Sequence, residues 1–470
     1  QTGIANISIG QDSLSNASNT AASFNVAIGQ AAGDALTTGS ENIIIGFGAD
    51  ASSATVSNEI TLGNSSITRF RIPGIGLDWT SVPAAGATDI DGLTDGYAAG
   101  NSVGLGSGAL GNDDGSANNN TAVGTTALNQ VVTSTNNTAI GFDAGRQVTT
   151  GSQNLFAGAA AGRGHTTGIN TTMVGPYAGY FNNGSYNVGL GHSALFNATG
   201  ANNVGLGYQA GYAITSGNNL TALGHSALKS ATTITTGVAI GQGAGQNTTT
   251  GGENVFVGNQ PGYNNTTGSS NTSIGYIAMY NNQTGGSNVA VGSYALQGAS
   301  GQSNWRNTAI GYEAGKAITT GNRNFFGGWQ SGIANTTGAY NVAVGERAMS
   351  GNTTGTSNIV LGSQAMANNS TGSYNIAIGE GSLWGASGQS HNNNTAIGYR
   401  SGYSVTTGGQ NFFGGANAGY NTTTGGTNVL LGAYAGYNNT TGGSNVAVGF
   451  AALTFNTTGS SNVAVGRDTL

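Results

Sequence analysis

One feature limits the folds open to this sequence more than any other: it repeats. NVLLGAYAGYNNTTGGS, from Asn428 to Ser444, is followed at once by NVAVGFAALTFNTTGSS from Asn445. The glycine that closes the short hydrophobic tetrad stands at Gly466, Gly449, Gly432, Gly415 and Gly398, and the same 17-residue step carries it back through most of the chain as far as Gly124. Two steps of nineteen (Gly292 to Gly311, Gly379 to Gly398) and two of sixteen (Gly175 to Gly191 to Gly207) interrupt it. A short period sustained at this length is the signature of a solenoid, in which each unit buries its apolar face only against its neighbours.

Within a unit the order is Asn, apolar, small, apolar, Gly, two variable residues, Ala, then Gly or Leu, a polar stretch and Thr-Thr-Gly. In Val446-Ala447-Val448 the two branched side chains share one side and the alanine takes the other, which is the period of two of a strand. Val and Ile suit a pleated surface. Glycines after the tetrad and in Thr-Thr-Gly permit tight turns, and so many glycines leave no helical pattern standing. The expectation is an all-β protein, a parallel β-solenoid or β-roll with one 17-residue coil per unit. Counting the two branched residues of each tetrad as its buried side chains gives about 3 to 6 kcal/mol per coil. The backbone ordering cost of about 1 to 2 kcal/mol per residue exceeds this. The chain is therefore expected to pack against copies of itself, as an intertwined or side-by-side homotrimeric fibre.

The period runs from the first residues to about residue 66, stops, and resumes near residue 101. The reading is a short N-terminal array at 1–66, a non-repeating junction module at 67–100 holding two of the four prolines, and a main array at 101–470. The array starts inside a turn and stops partway through a unit, which is expected of a segment cut from a longer polypeptide or of ends covered by another protein or subunit. There is a longer repetition too. NWRNTAIGYEAGKAITTGNRNFFGGWQSG (Asn304 to Gly332) returns as NNNTAIGYRSGYSVTTGGQNFFGGANAG (Asn392 to Gly419), and both follow a GASGQS insertion. In both copies a Phe (Phe326, Phe413) replaces the small residue of the tetrad and a Gly (Gly327, Gly414) replaces its last apolar residue, so volume is moved from one face to the other.

NSVGLG (Asn101 to Gly106), NTAIG (Asn137 to Gly141) and NVAVG (Asn445 to Gly449) resemble the head repeats of YadA-like trimeric autotransporter adhesins. That resemblance implies a trimer of left-handed β-rolls. The longer phrase NTAIGxxAGxxxTTGxxN is similar to repeats in tail-fibre-like proteins of bacteriophages, marine ones in particular, and ITLGNSSITRFRIPGIGLDW (Ile60 to Trp79) resembles a phrase found beside such arrays. The sequence departs from the adhesin pattern in its longer unit and in showing neither a coiled-coil stalk nor a membrane-anchor barrel. Together these imply a structural fibre, a phage tail fibre or similar appendage, that acts as rigid spacer and host-surface adhesin. The alternative is a bacterial cell-surface adhesin head or a self-assembling extracellular filament. The partners implied are copies of the chain itself, with end-to-end contacts, and a bacterial surface glycan or protein receptor; the location implied is extracellular or on the virion surface.

The remaining composition narrows the function classes. Eleven Lys and Arg stand singly in 470 residues against 17 acids, so no basic face for nucleic acid is expected. Cysteine is absent, which removes disulfides and thiolate metal sites. No run of about 18 apolar residues marks a membrane span. No nucleophile-base set, H-E-x-x-H or P-loop phrase occurs, and the expectation is a protein that is not an enzyme. Asp89, Asp91 and Asp95 in DIDGLTDG have the alternate spacing of a calcium loop without its closing Glu, and read otherwise as turn caps; beyond calcium there, no cofactor is expected. His192 and His225 share one slot two coils apart and read as exposed turn residues. The tyrosines after the tetrad and after Ala-Gly form either a stacked scaffold column or a platform for sugar rings. Trp305 and Trp384 beside the irregular insertions, with Tyr403 and Tyr437 of the tyrosine set, are the residues proposed for glycan or receptor contact. Regular Thr pairs admit an ice-binding face, and N-x-Thr sequons such as Asn247, Asn335 and Asn456 are glycan acceptors only where a host supplies the machinery.

Overall fold

The tetrads become strands of three or four residues, each lying beside the next in parallel register. The computed structural model describes residues 5–17, 22–66, 70–72, 77–79, 96–99, 101–116, 118–299 and 303–469. It divides into two compact units, 1–88 and 89–470, so the division falls inside the non-repeating stretch. In the first unit β1 (Ile7–Ile9), β2 (Val26–Ile28), β3 (Ile43–Ile45) and β4 (Ile60–Leu62) form one parallel sheet, and β5 (Phe70–Ile72) pairs antiparallel with β6 (Leu77–Trp79). In the second unit β7 (Gly96–Ala99) pairs antiparallel with β8 (Ser102–Leu105). From β8 to β29 (Val463–Val465) twenty-two rungs follow one another in sequence order, every pair parallel. No element among the described residues is a helix. The chain is thus an all-β parallel solenoid with coils of about 17 residues.

Rung-to-rung hydrogen bonds extend beyond the strands around the whole coil. In one coil Val446 N donates to Asn462 O at 2.8 Å, Gly436 N to Ala452 O at 2.8 Å and Thr440 N to Thr457 O at 2.8 Å. Each coil therefore satisfies the backbone of its predecessor, as buried amides require.

The direction of burial corrects the sequence reading. The middle residue of each tetrad points inward: Ala447, Ala377, Ala309 and Ala139 are fully buried. The two branched residues point outward, with Ile140 49 %, Ile310 46 % and Leu190 43 % exposed. The reason lies in volume. A 17-residue coil encloses little space, and its interior is already occupied by the inward Ala, the following Ala-Leu or Ala-Gly and a column of Asn. The cores at 109–256 and 278–464 are accordingly built largely from Ala, with one Leu, Met or Phe in most coils.

Where that large residue sits is governed by glycine. In several Ala-tetrad coils a Leu follows the second Ala at φ near +50° (Leu128 +47°, Leu228 +47°, Leu296 +47°). Where Phe takes the tetrad, a Gly replaces that Leu in its own coil and in the coil before. A Cβ on Gly332 would lie 2.4 Å from the Phe326 ring, and one on Gly315 2.8 Å from it. Since Leu adopts the same left-handed backbone elsewhere, these glycines are required for room rather than for φ. The tetrad-closing glycine is required on both counts: Gly449 has φ +136°, and a Cβ there would meet the carbonyl oxygen of Gly466 at 2.3 Å.

The leading Asn forms a buried column. Asn358 Oδ1 accepts from the backbone N and the Nδ2 of Asn375, both at 3.0 Å, while its own Nδ2 donates to Asn341 Oδ1 at 3.1 Å and Gly372 O at 3.0 Å. Every hydrogen-bonding position of the amide is used. A buried polar column so satisfied fixes the register between coils, because slipping by one residue would leave each amide unpaired.

Candidate functional site

The tyrosines form two outer columns on the turn after the strand. In one, Tyr177, His192, Tyr208 and His225 follow each other with ring centroids 5.0 to 5.7 Å apart, so both histidines are members of an aromatic column as well as exposed. In the other, Trp384, Tyr403, Tyr420 and Tyr437 stack at 5.0, 4.9 and 5.1 Å with planes within 11° of parallel. Tyr403 has both faces covered, by Trp384 and Tyr420. What this column offers a partner is ring edges, hydroxyls and the Arg400 guanidinium, which lies 5.0 and 5.4 Å over Tyr399 and Tyr403.

Trp305 stands apart from the other three residues proposed for contact. It belongs to a different column, two residues before the leading Asn, where the other coils carry mostly small or polar residues such as Ser269, Gly286, Asn322 and Ala339. Its indole rests on Gly286, where a Cβ would come within 2.8 Å of Cζ3, and Trp305 itself is 49 % exposed. Its backbone bridges Asn322 in parallel register. Between these two residues and the exposed Arg306 and Arg323 lies a surface pocket of about 330 Å³, within the size range of small-ligand sites.

Some cations among the described residues are paired with acids, and those of this pocket are not. Arg146 and Arg163 both approach Asp143, at 3.5 and 3.1 Å, and Lys316 approaches Glu313 at 2.6 Å. Burial alone would raise the Asp143 pKa, but hydrogen bonds from Thr126 and Arg163 bring it below the usual carboxylate range. Arg306 and Arg323 form no ion pair with a described carboxylate. Arg323 donates instead to the Tyr340 hydroxyl and lies 5.1 Å over that ring, which fixes the guanidinium. The two arginines follow one another in register, one rung or about 4.8 Å apart along the axis. The pairing was accessible from the sequence, since residues 306 and 323 differ by one period.

Two buried histidines escaped the sequence reading. His165 takes an inward slot filled by Val148 in the coil before and Asn182 in the coil after, with its ring nitrogens 2.7 Å from Asn182 O and 2.8 Å from Gly168 O. Burial holds its pKa down against those two carbonyls. His391 takes the place of a Thr-Thr-Gly glycine inside the second insertion coil, and burial pushes its imidazole down to about 4. Only the coil phase marks either position as inward.

Other candidates divide plainly. Asp89, Asp91 and Asp95 lie outside the described residues. Among the described residues no group of three or more His, Asp or Glu is placed to hold a metal ion. Asn335 of the sequon set is fully buried and donates to Gly338 O at 3.0 Å, so it is not open to glycan attachment in the folded chain. The first Thr of many Thr pairs donates its hydroxyl to the next coil, as Thr440 does to Thr457 O at 2.9 Å, which leaves the second Thr as the exposed one. No family model, no curated protein and no solved structure matches the chain.

Proposed function

We propose that this chain is a structural fibre segment that associates laterally with copies of itself, as a homotrimer, and serves as a rigid spacer and attachment element on a virion or cell surface. The observation that carries the reading is the outer face of the rung sheet. Two columns of side chains run along it from Val103 and Leu105 to Val463 and Val465, and they contain only Val, Ile, Leu, Phe, Thr, Ala and Gly, with no charge in either column.

Twenty-two rungs at about 4.8 Å give a strip roughly 100 Å long, and two side chains per rung make it about 10 Å wide. An apolar strip near 1,000 Å² exceeds the roughly 300–600 Å² of a typical monomer's largest patch. The thin Ala core supports the same reading, because the bulkiest aliphatic groups of each tetrad reach water unless another chain covers them. A tail-fibre-like appendage and a surface adhesin or filament are both served by such a rod, and the absence of any catalytic constellation in the sequence accords with a mechanical role.

Mass measurement under native conditions tests this. Multiples of the 46.3 kDa chain, with three expected, support it. Replacing the outward Ile310, Leu361 and Ile397 with Lys should dissociate the assembly while leaving the circular dichroism of the β-structure unchanged. A stable, soluble monomer at micromolar concentration would end the proposal.

A further inference from the structure

We infer that the pocket at Trp305, Arg306 and Arg323 is a binding site for a carboxylated sugar, such as the uronic acid units of an acidic polysaccharide. The inference rests on the surface-attachment reading only for its biological setting; the chemistry is local. Arg306 and Arg323 project from consecutive coils at equivalent positions, so the fold itself places two like charges one rung apart. Like charges directly opposite on neighbouring strands are unfavourable, and here no described carboxylate pairs with either. A planar anion between the two guanidinium groups relieves that repulsion and accepts forked, charge-assisted hydrogen bonds from both.

An anion alone does not account for the rest of the pocket. Trp305 is the single indole in a column otherwise mostly small or polar, and it is held over Gly286 rather than stacked into an aromatic column. It offers a rigid apolar surface beside the charges, to which the C–H face of a pyranose ring is complementary. Asn322 supplies amide donor and acceptor groups at the pocket edge, suited to ring hydroxyls. Tyr340 is a positioning residue: its hydroxyl and ring hold Arg323 in place. Cation pair, apolar plate and amide together describe an acidic sugar better than a free phosphate, which would use only the first, or a neutral sugar, which would use only the other two.

The duplicated block supplies the control. Trp305, Arg306 and Arg323 correspond to Asn392, Asn393 and Gln410, on coils with the same strands and the same Phe. The substitutions Trp305→Asn, Arg306→Asn and Arg323→Gln therefore install residues that this solenoid already carries at those positions, and folding is checked by circular dichroism. The full chain is titrated calorimetrically at low salt with tetragalacturonate, neutral galactotetraose, a sulfated galactan oligosaccharide and inorganic phosphate. The expected result is saturable binding of tetragalacturonate that weakens about tenfold or more in each single variant and falls with added salt, with neutral galactotetraose bound about tenfold more weakly or worse. Equal affinity for the neutral sugar, equal or better affinity for phosphate or the sulfated oligosaccharide, binding indifferent to the two arginine substitutions, or no binding up to about 10 mM, which corresponds to under 3 kcal/mol, would each overturn it. None of these substitutions touches the outward Val and Ile columns, so the native mass reports on the fibre reading independently.

Discussion

The coils around the first insertion and those around the second are copies 87 residues apart, and they have diverged much further outside the coil than inside it. Inside, Thr308-Ala309-Ile310 corresponds to Thr395-Ala396-Ile397, and Phe326 between Gly315 and Gly332 corresponds to Phe413 between Gly402 and Gly419. Outside, Trp305, Arg306, Arg323 and Tyr340 face Asn392, Asn393, Gln410 and Thr427, while the second copy has Trp384, Tyr403 and Tyr420 where the first has Gln297, Lys316 and Ile333. The interior accepts mainly exchanges of similar size, such as Ala314 for Ser401, Ile318 for Val405 and Ser331 for Ala418, because each coil must fit two neighbours at crystal-like density. The surface columns are free, so each copy displays a different set of groups on the same frame.

The largest test of that division is to empty both cores. Phe326→Ala and Phe413→Ala should each cost about 4 kcal/mol, and the two costs should agree within about 0.5 kcal/mol, the scatter expected of equivalent independent sites. Hydrogen exchange resolved by coil is the suitable readout, since long arrays need not unfold as one unit. A difference well above 1 kcal/mol would show that the interiors are not equivalent after all.

One inward slot exchanges a neutral side chain for a titratable one, and it sharpens the comparison. The first copy buries Asn304 where the second buries His391. With a folded pKa of about 4 for His391 against about 6.5 when unfolded, the unfolded chain takes up a proton across that window and the folded chain does not. The second insertion should therefore be fully stable above about pH 6.5 and lose up to about 3 kcal/mol as the pH falls to about 4. The first insertion should show no such loss from Asn304. His391→Asn should flatten the profile, and an unchanged profile in that variant would assign the pH dependence elsewhere.

The smallest effect is expected where the copies differ most visibly. The triple replacement Trp305→Asn, Arg306→Asn, Arg323→Gln should alter the stability of its coils by no more than about 0.5 kcal/mol, as is usual for surface positions. Chemical denaturation of the variant beside the parent checks this, and a loss above about 2 kcal/mol would mean that the pocket residues serve the scaffold.

The sequence displays the period, the strands and the parallel stacking openly, because Asn445-Val-Ala-Val-Gly449 recurs with little variation. It does not display which side of a three-residue strand faces inward, since alternation separates two faces without labelling them. The label was present in less direct form. Asn445, Ala447 and Gly449 share one parity, and the slot of Ala447 is the one whose size, from Gly189 through Ala to Phe326, is compensated by Gly or Leu further along the coil. Compensation is the mark of a filled interior. The site was half legible: Trp305 stood out as irregular, but Arg306 and Arg323 become neighbours only when the chain is wound at its period.

Because ladder pairing runs only between consecutive rungs, the separation between the Trp305 pocket and the aromatic column beginning at Trp384 is a whole number of steps. Loss or gain of one 17-residue unit between them would move the two apart or together by about 4.8 Å and alter neither. The copy number of a short genetic repeat thus acts as a graduated scale, on which the distance between points of attachment can be reset without redesigning either point.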